Sequence, residues 1–251
     1  MATMRPLARP PIREAIIDVK SEPCSFDKVT QLRDRIAAQF PRSRPFRLAS
    51  LALQLPDERR GAELDSTPGR QAGWRCESAD GAEVVLARTD GFSIARLEGY
   101  TGWDAFFDRF LSMWGAYVAC VAPTEVRRVG LRYINEVRLP VADGLDFDHF
   151  LTSVPRAPQG MSQGFVDFLV QMTLPGQGEG IRVAITQATD SAARTGAELP
   201  VILDIDVSCD RLLLVDETLP ARLGDALRAM REVKNQAFFG LVTDKLVSTY
   251  L

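Results

Sequence analysis

Histidine is almost missing from this chain: His149 is the single copy in 251 residues. Imidazole is the usual side chain for proton transfer, nucleophile activation and metal ligation near neutral pH. One copy excludes any two-histidine metal site and forces every serine or cysteine triad through position 149. Cysteine is nearly as scarce. Cys24, Cys76, Cys120 and Cys209 have no pair at the short spacing of a zinc knuckle or a redox dithiol, so reduced, mostly buried thiols in a cytoplasmic protein are expected. No run of about 18 apolar residues occurs, which excludes a membrane-spanning helix by hydropathy. Met1 to Pro11 holds arginines and prolines and lacks the apolar core of a signal peptide.

What is present matches an ordinary globular protein, with 46% hydrophobic and 25% charged residues. The net charge of −3 and pI near 5.4 argue against nucleic acid as a direct ligand. The charge is uneven: residues 1–60 carry 12 basic against 7 acidic side chains, and the remainder 18 against 26. A basic first quarter on an acidic body suits an acidic partner or a solvated face.

Alternation marks the strands. From Ile12 to Lys20, Ala15, Ile17 and Val19 share one face, while Glu14, Ile16, Asp18 and Lys20 share the other. Ser25 then caps a helix whose Val29, Leu32, Ile36 and Phe40 recur at helical spacing until Pro41. A second strand is expected over Phe46–Leu55, then a loop. Three short strands around 73–78, 82–89 and 92–98 are joined at Asp80–Gly81 and Asp90–Gly91, both hairpin signals. Thr101, with Asp104 three residues later, predicts the start of a long aromatic-striped helix through Val121. Arg127–Leu139 alternates again, with Val129, Leu131, Tyr133 and Val137 opposite Arg128, Arg132, Ile134 and Arg138. A short helix near Asp146–Leu151 and a Pro/Gly/Gln-rich stretch over 153–164 follow. Strands at 165–174, 181–189 and 200–208 then precede a final helix over 220–239, whose buried stripe is read as Leu223, Leu227, Met230, Val233 and Ala237. The order predicts an α+β fold with a mainly antiparallel sheet. It comprises two meander-plus-long-helix halves, 1–152 and 153–251, which either share one sheet or stand apart.

Several motifs match in letters and fail in context. Gly160-Met161-Ser162-Gln163-Gly164 spells a nucleophile elbow, but that motif needs a strand before it, a helix after it and a histidine downstream, and His149 lies upstream. Gly176, Gly178 and Gly180 lie between two expected strands, not at a helix N-terminus, and read as a hairpin. Asp204 and Asp206 share a strand face, as do Glu14 and Asp18, a pattern that suits either a divalent cation or cross-strand pairing with Arg128, Arg132 and Arg138. Arg132 is expected to pair with Asp18, Asp204 or Asp206. His149, beside Asp148, is expected at the surface. No cofactor and no metal site are expected.

Three blocks carry a family resemblance. Pro10-Pro11-Ile12-Arg13-Glu14-Ala15-Ile16-Ile17-Asp18, Gly130-Leu131-Arg132-Tyr133-Ile134-Asn135, and Leu203-Asp204-Ile205-Asp206 with Lys234-Asn235-Gln236-Ala237-Phe238-Phe239 resemble the opening, central and closing blocks of one group. It is a sporadically distributed group of bacterial proteins without an established activity. The likeness spans residues 10 to about 245. It implies an accessory, mobile-gene setting of the toxin–antitoxin or phage-defence kind, and it points to no chemistry, because no catalytic residues are established for the group.

Three functional readings result. The first is a non-catalytic binding or regulatory protein of such an accessory system, acting through a protein partner encoded nearby. The second is a small-molecule sensor or carrier with a cavity between sheet and helix, lined by Trp103, Phe107 and Trp114. The third is a metal-dependent hydrolase or transferase using Asp204 and Asp206 with Glu14 or Asp18. The candidate ligand- or partner-binding residues are Glu14, Asp18, Arg132, Tyr133, Asn135, Asp204 and Asp206.

Overall fold

A computed structural model describes residues 1–47, 69–140, 146–161, 167–189, 198–211 and 213–251. The fold is α+β. Ten antiparallel strands form one sheet in the order β2-β3-β4-β5-β1-β6-β9-β8-β7, with β10 pairing β6. In chain order the elements are β1 (Ile12–Ser21), α1 (Phe26–Ile36), β2 (Arg42–Arg47), β3 (Gln71–Glu77), β4 (Glu83–Arg88), β5 (Gly91–Arg96), α2 (Trp103–Val121) and β6 (Glu125–Pro140). There follow β7 (Leu169–Pro175), β8 (Ile181–Thr189), β9 (Glu198–Cys209), β10 (Leu213–Leu214), α3 (Leu219–Leu241) and the single turn α4 (Asp244–Val247). The two sequence halves share the sheet, because β6 of the first pairs along its length with β9 of the second.

Period-two alternation decides which face each strand buries. Ala15, Ile17 and Val19 of β1 lie opposite Tyr133, Leu131 and Val129 of β6, and Ile17 and Val19 lie opposite Ile94 and Phe92 of β5. These side chains are buried on the face that all three long helices cover. Phe110, Trp114 and Tyr117 of α2 ring Phe92, with centroids 5.6–6.4 Å apart, so most of the aromatic stripe is core. Phe26 and Thr30 of α1 meet Trp74 of β3. At the turn into β5, Gly91 is required: a Cβ there would lie 2.2 Å from the Val19 carbonyl oxygen, and its φ is +154°.

The local expectations shift in three places. The first helix stops at Ile36, and Phe40 is buried from the turn that follows it. The cap of α2 is Gly102, not Thr101, with no side-chain capping bond. The short helix after β6 is a 3-10 turn over Phe147–His149. Most of the strand expected over 46–55, and Ser162 to Gly164 of the nucleophile-elbow letters, lie outside the described residues. The glycines 176, 178 and 180 do turn between β7 and β8, where Gly178 and Gly180 hold φ of +114° and +74°.

The opposite face of the sheet carries a ladder of charge. Asp18 sits between two guanidinium groups, Arg88 at 2.8 Å and Arg128 at 3.1 Å. Arg128 also reaches Asp206 at 3.6 Å. Gly130, directly across from Asp18, leaves the space that the Arg128 guanidinium fills. Arg132 lies opposite Asp206 in register but forks onto Asp204, diagonally placed, with Nε and Nη2 at 2.8 and 2.5 Å from the two carboxylate oxygens. The expected Arg132 pair is therefore present. Burial ranks these pairs: the Arg88 side chain is 11% exposed and that of Arg132 44%. Arg88→Ala, which removes the more buried of the two guanidinium partners of Asp18 and leaves Arg128, should cost about 2 kcal/mol. Arg132→Ala, at a half-exposed pair, should cost about 1 kcal/mol. Urea unfolding of the two variants checks the order, and equal losses would contradict it.

Candidate functional site

Strand parity divides the residues singled out from sequence between two faces. Glu14, Asp18, Arg132, Asp204 and Asp206 stand on the charge-laddered face, whereas Tyr133 and Asn135 point under the helices. They do not form one site. On the ladder, Asp204 and Asp206 are engaged by Arg132 and Arg128, and burial, outweighing those cations, holds the Asp206 carboxyl above its ordinary range. Among the described residues no group of three His, Cys, Asp or Glu is arranged to hold a metal ion. The carboxylates of the hydrolase reading are thus structural partners of arginine. His149 is exposed at the surface, 3.6 Å from Asp146. The four thiols are unpaired, and burial pushes the Cys76 thiol up to about 11, far from a reactive thiolate.

The helix-covered face holds a different site. A cavity of about 690 Å³ opens between α3, the Tyr100–Trp103 loop and the irregular N-terminal strap, with Asn135 among its lining residues. That volume is in the range of small-molecule sites. The strap is pinned at both ends. The Ala2 amide donates to the Phe239 and Val242 carbonyls, Arg5 reaches Asp244, and the Arg9 amide donates to the Tyr250 carbonyl. At its exit, the Pro11 carbonyl accepts from the Glu136 amide where β1 bulges against β6. Asn135 sits at that bulge, and its side-chain amide donates to the carbonyl of Leu203 at 2.9 Å, which fixes its orientation. Of the aromatics expected to line a cavity, Trp103 does so. Phe107 and Trp114 pack into the α2 stack instead.

Lys234 is the residue that sequence reasoning missed. The sheet-facing stripe of α3 is Leu219, Leu223, Leu227, Met230, Lys234 and Phe238, so the lysine occupies a core position. The expected Val233 and Ala237 lie one residue out of phase, half-buried. The preference for apolar residues at buried positions favours Val233 over a charged neighbour. Two signals point the other way: 230, 234 and 238 continue the four-residue spacing, and the chain uses lysine only four times against 26 arginines.

The surroundings of Lys234 are apolar and cationic. Its Nζ lies 4.2 Å from the centroid of the Tyr133 ring. Among the described residues no carboxylate pairs with it, and it makes no hydrogen bond. Burial, and then the Arg231 guanidinium one turn away, push its ammonium down from 10.5 to about 8. Arg231 lines the same cavity, rests on the Trp103 ring at 5.6 Å and likewise has no acidic partner among the described residues. The Tyr133 hydroxyl is hydrogen-bonded to that of Tyr100 at 3.0 Å, and burial raises both phenols, so neither supplies a negative charge. The exposed Glu232 is the one acid in the wall.

Comparison with known proteins returns no matching family model, no curated protein and no solved structure. Residues distant in sequence meet here: Pro10, Pro11 and Ile12, then Asn135, and Lys234 with Phe238.

An unpaired buried amine costs stability. The fall from 10.5 to about 8 corresponds to roughly 3 kcal/mol, and the Tyr133 ring returns about 1–2 kcal/mol of it. Lys234→Met, which keeps the volume and removes the charge, should therefore stabilise the protein by about 1–2 kcal/mol at pH 7. The folded state binds the proton less tightly than the unfolded state, so the penalty is complete below about pH 8. It is relieved as pH rises from about 8 to 10.5, and the advantage of the variant shrinks over that window. Denaturation of both proteins from pH 6 to 10.5 measures this, and a variant less stable than the parent at pH 7 would refute the assignment.

Proposed function

We propose that this protein binds a small organic acid in the cavity beneath its N-terminal strap, as a sensor or carrier. The observation that carries the reading is Lys234, a core amine without an acidic partner that opens on a cavity with Arg231 beside it. Two cations without acidic partners among the described residues, in a site whose walls mix apolar groups with Asn135, Asn235 and Thr101, match a ligand with an anionic head and a flat or partly apolar body. Charge-assisted hydrogen bonds satisfy the head, and Trp103, Phe238 and Leu7 cover the body. The stability given up at position 234 fits a functional role, since sites often retain destabilising groups that packing alone would replace. The strap supplies a cover held by a few backbone bonds and one surface ion pair, so that entry requires only local opening.

A protein partner is a second reading, compatible with the first, in which the bound acid regulates an accessory-system interaction. It draws support from strand β7 at the sheet edge, where Leu169 and Leu174 are exposed. The metal-dependent reading has no comparable support, because its carboxylates are engaged by arginine.

Thermal-shift screening of small aliphatic and aromatic carboxylates, followed by calorimetry, tests the reading. Binding is expected to weaken by about tenfold or more in Lys234→Met and in Arg231→Met, the loss of one charge-assisted hydrogen bond each. Affinity should fall as pH rises through about 8, where Lys234 loses the proton that an anion stabilises. Binding that survives both substitutions would place the ligand elsewhere.

A further inference from the structure

We infer that Lys234 is an amine nucleophile and that the ligand class is an oxo acid, whose carbonyl condenses with Lys234 while its carboxylate is held by Arg231. This inference rests on the reading of the cavity as an acid-binding site, and it names the chemistry that distinguishes a lysine from an arginine there.

The geometry meets the requirements of imine formation. A lysine amine becomes nucleophilic when it is desolvated in an apolar pocket or placed beside another cation. Lys234 has both features, through its burial under α3 against the Tyr133 ring and through Arg231 on the same helix. A carboxylate beside the amine would instead hold it as the unreactive ammonium, and among the described residues none lies within ion-pair distance. The Tyr133 ring lies against its Nζ, and Tyr100, Asn135, the exposed Glu232 and Arg5, the last paired with Asp244, line the same cavity. Arginine at this position would bind an anion equally well but cannot condense.

The step balances without a co-reactant. The neutral amine lone pair attacks the carbonyl carbon, forming a C–N bond as the C=O π pair moves to oxygen. Proton transfer from nitrogen to that oxygen gives a carbinolamine, and loss of one water gives the C=N bond. Nothing is oxidised or reduced. Tyr100, which lines the cavity with its hydroxyl held by Tyr133, is placed to hand a proton to the departing oxygen and recover it from solvent.

The chain contains its own controls, because Lys20, Lys28 and Lys245 are the only other lysines. The intact protein is incubated with phenylpyruvate and cyanoborohydride, and adducts are located by peptide mass mapping. Lys234 should carry the reduced adduct at least about tenfold faster than the exposed Lys20, as an amine activated by burial and a neighbouring cation requires. Arg231→Met should slow labelling by phenylpyruvate, which loses its carboxylate partner, more than labelling by benzaldehyde, which has no carboxylate and loses only the effect of Arg231 on the amine. Lys234→Arg should retain binding by calorimetry and lose the adduct. Phenylpyruvate that binds without labelling Lys234 beyond the surface lysines would overturn the covalent step and leave the acid-binding reading standing. Absence of both binding and labelling, for phenylpyruvate and for pyruvate, would overturn this inference. If no simple carboxylate binds either, the acid-binding reading fails with it.

Discussion

The β1–β6 ladder is the constraint on which the molecule depends. Both strands lie in the middle of the sheet and alternate where Ala15–Val19 pair with Tyr133–Val129, so a one-residue slip would move Ala15, Ile17 and Val19 onto the open face and Asp18 into the core. Burying Asp18 apart from its guanidinium partners would cost several kcal/mol. The register is thus enforced from both sides, by apolar burial below and charge pairing above. Everything else is positioned from this pair: β5 and β9 attach to its two edges, and the helices cover its apolar face.

The same ladder explains where a ligand site is available. On the charged face each carboxylate of β9 already has a guanidinium, and Gly130 makes room for Arg128 to complete the network. Such a face is satisfied by itself, which suits a structural role. Under α3 the balance is reversed. Lys234 and Arg231 are cations without acidic partners in the described residues, held against aromatic rings instead of carboxylates. An unsatisfied cation inside a fold is stabilised by whatever anion enters, whereas a satisfied one gains nothing. That asymmetry, and not the count of charges, separates the two faces functionally.

Conformational demands fall on the strap. Residues 1–11 have no regular secondary structure, yet Ala2 is buried and its amide is shared between Phe239 and Val242. The bulge between β1 and β6 lies where the strap joins the sheet, beside Asn135. Although the strap belongs to no helix or strand, Ala2 is part of the core and Leu7 packs against it, so displacing the strap uncovers both side chains.

Much of this was legible in the sequence. Alternation located the described strands apart from β2 and the two-residue β10, the Asp–Gly dipeptides located two hairpins, and Arg132 found an aspartate as parity required, since these depend on local periodicity. The sequence alone also assigned Tyr133 and Asn135 to an interesting block, without showing that they face away from Arg132's partners. Two matters were decided only by tertiary structure. One is that the halves share a sheet, which depends on β6 meeting β9 across a long separation. The other is Lys234. Hydrophobic periodicity assumes that buried positions are apolar, so it shifted the stripe of α3 by one residue and passed over the lysine. Only the packing of that helix against Tyr133, with the strap folded over it, turns an ordinary-looking cation into a buried one.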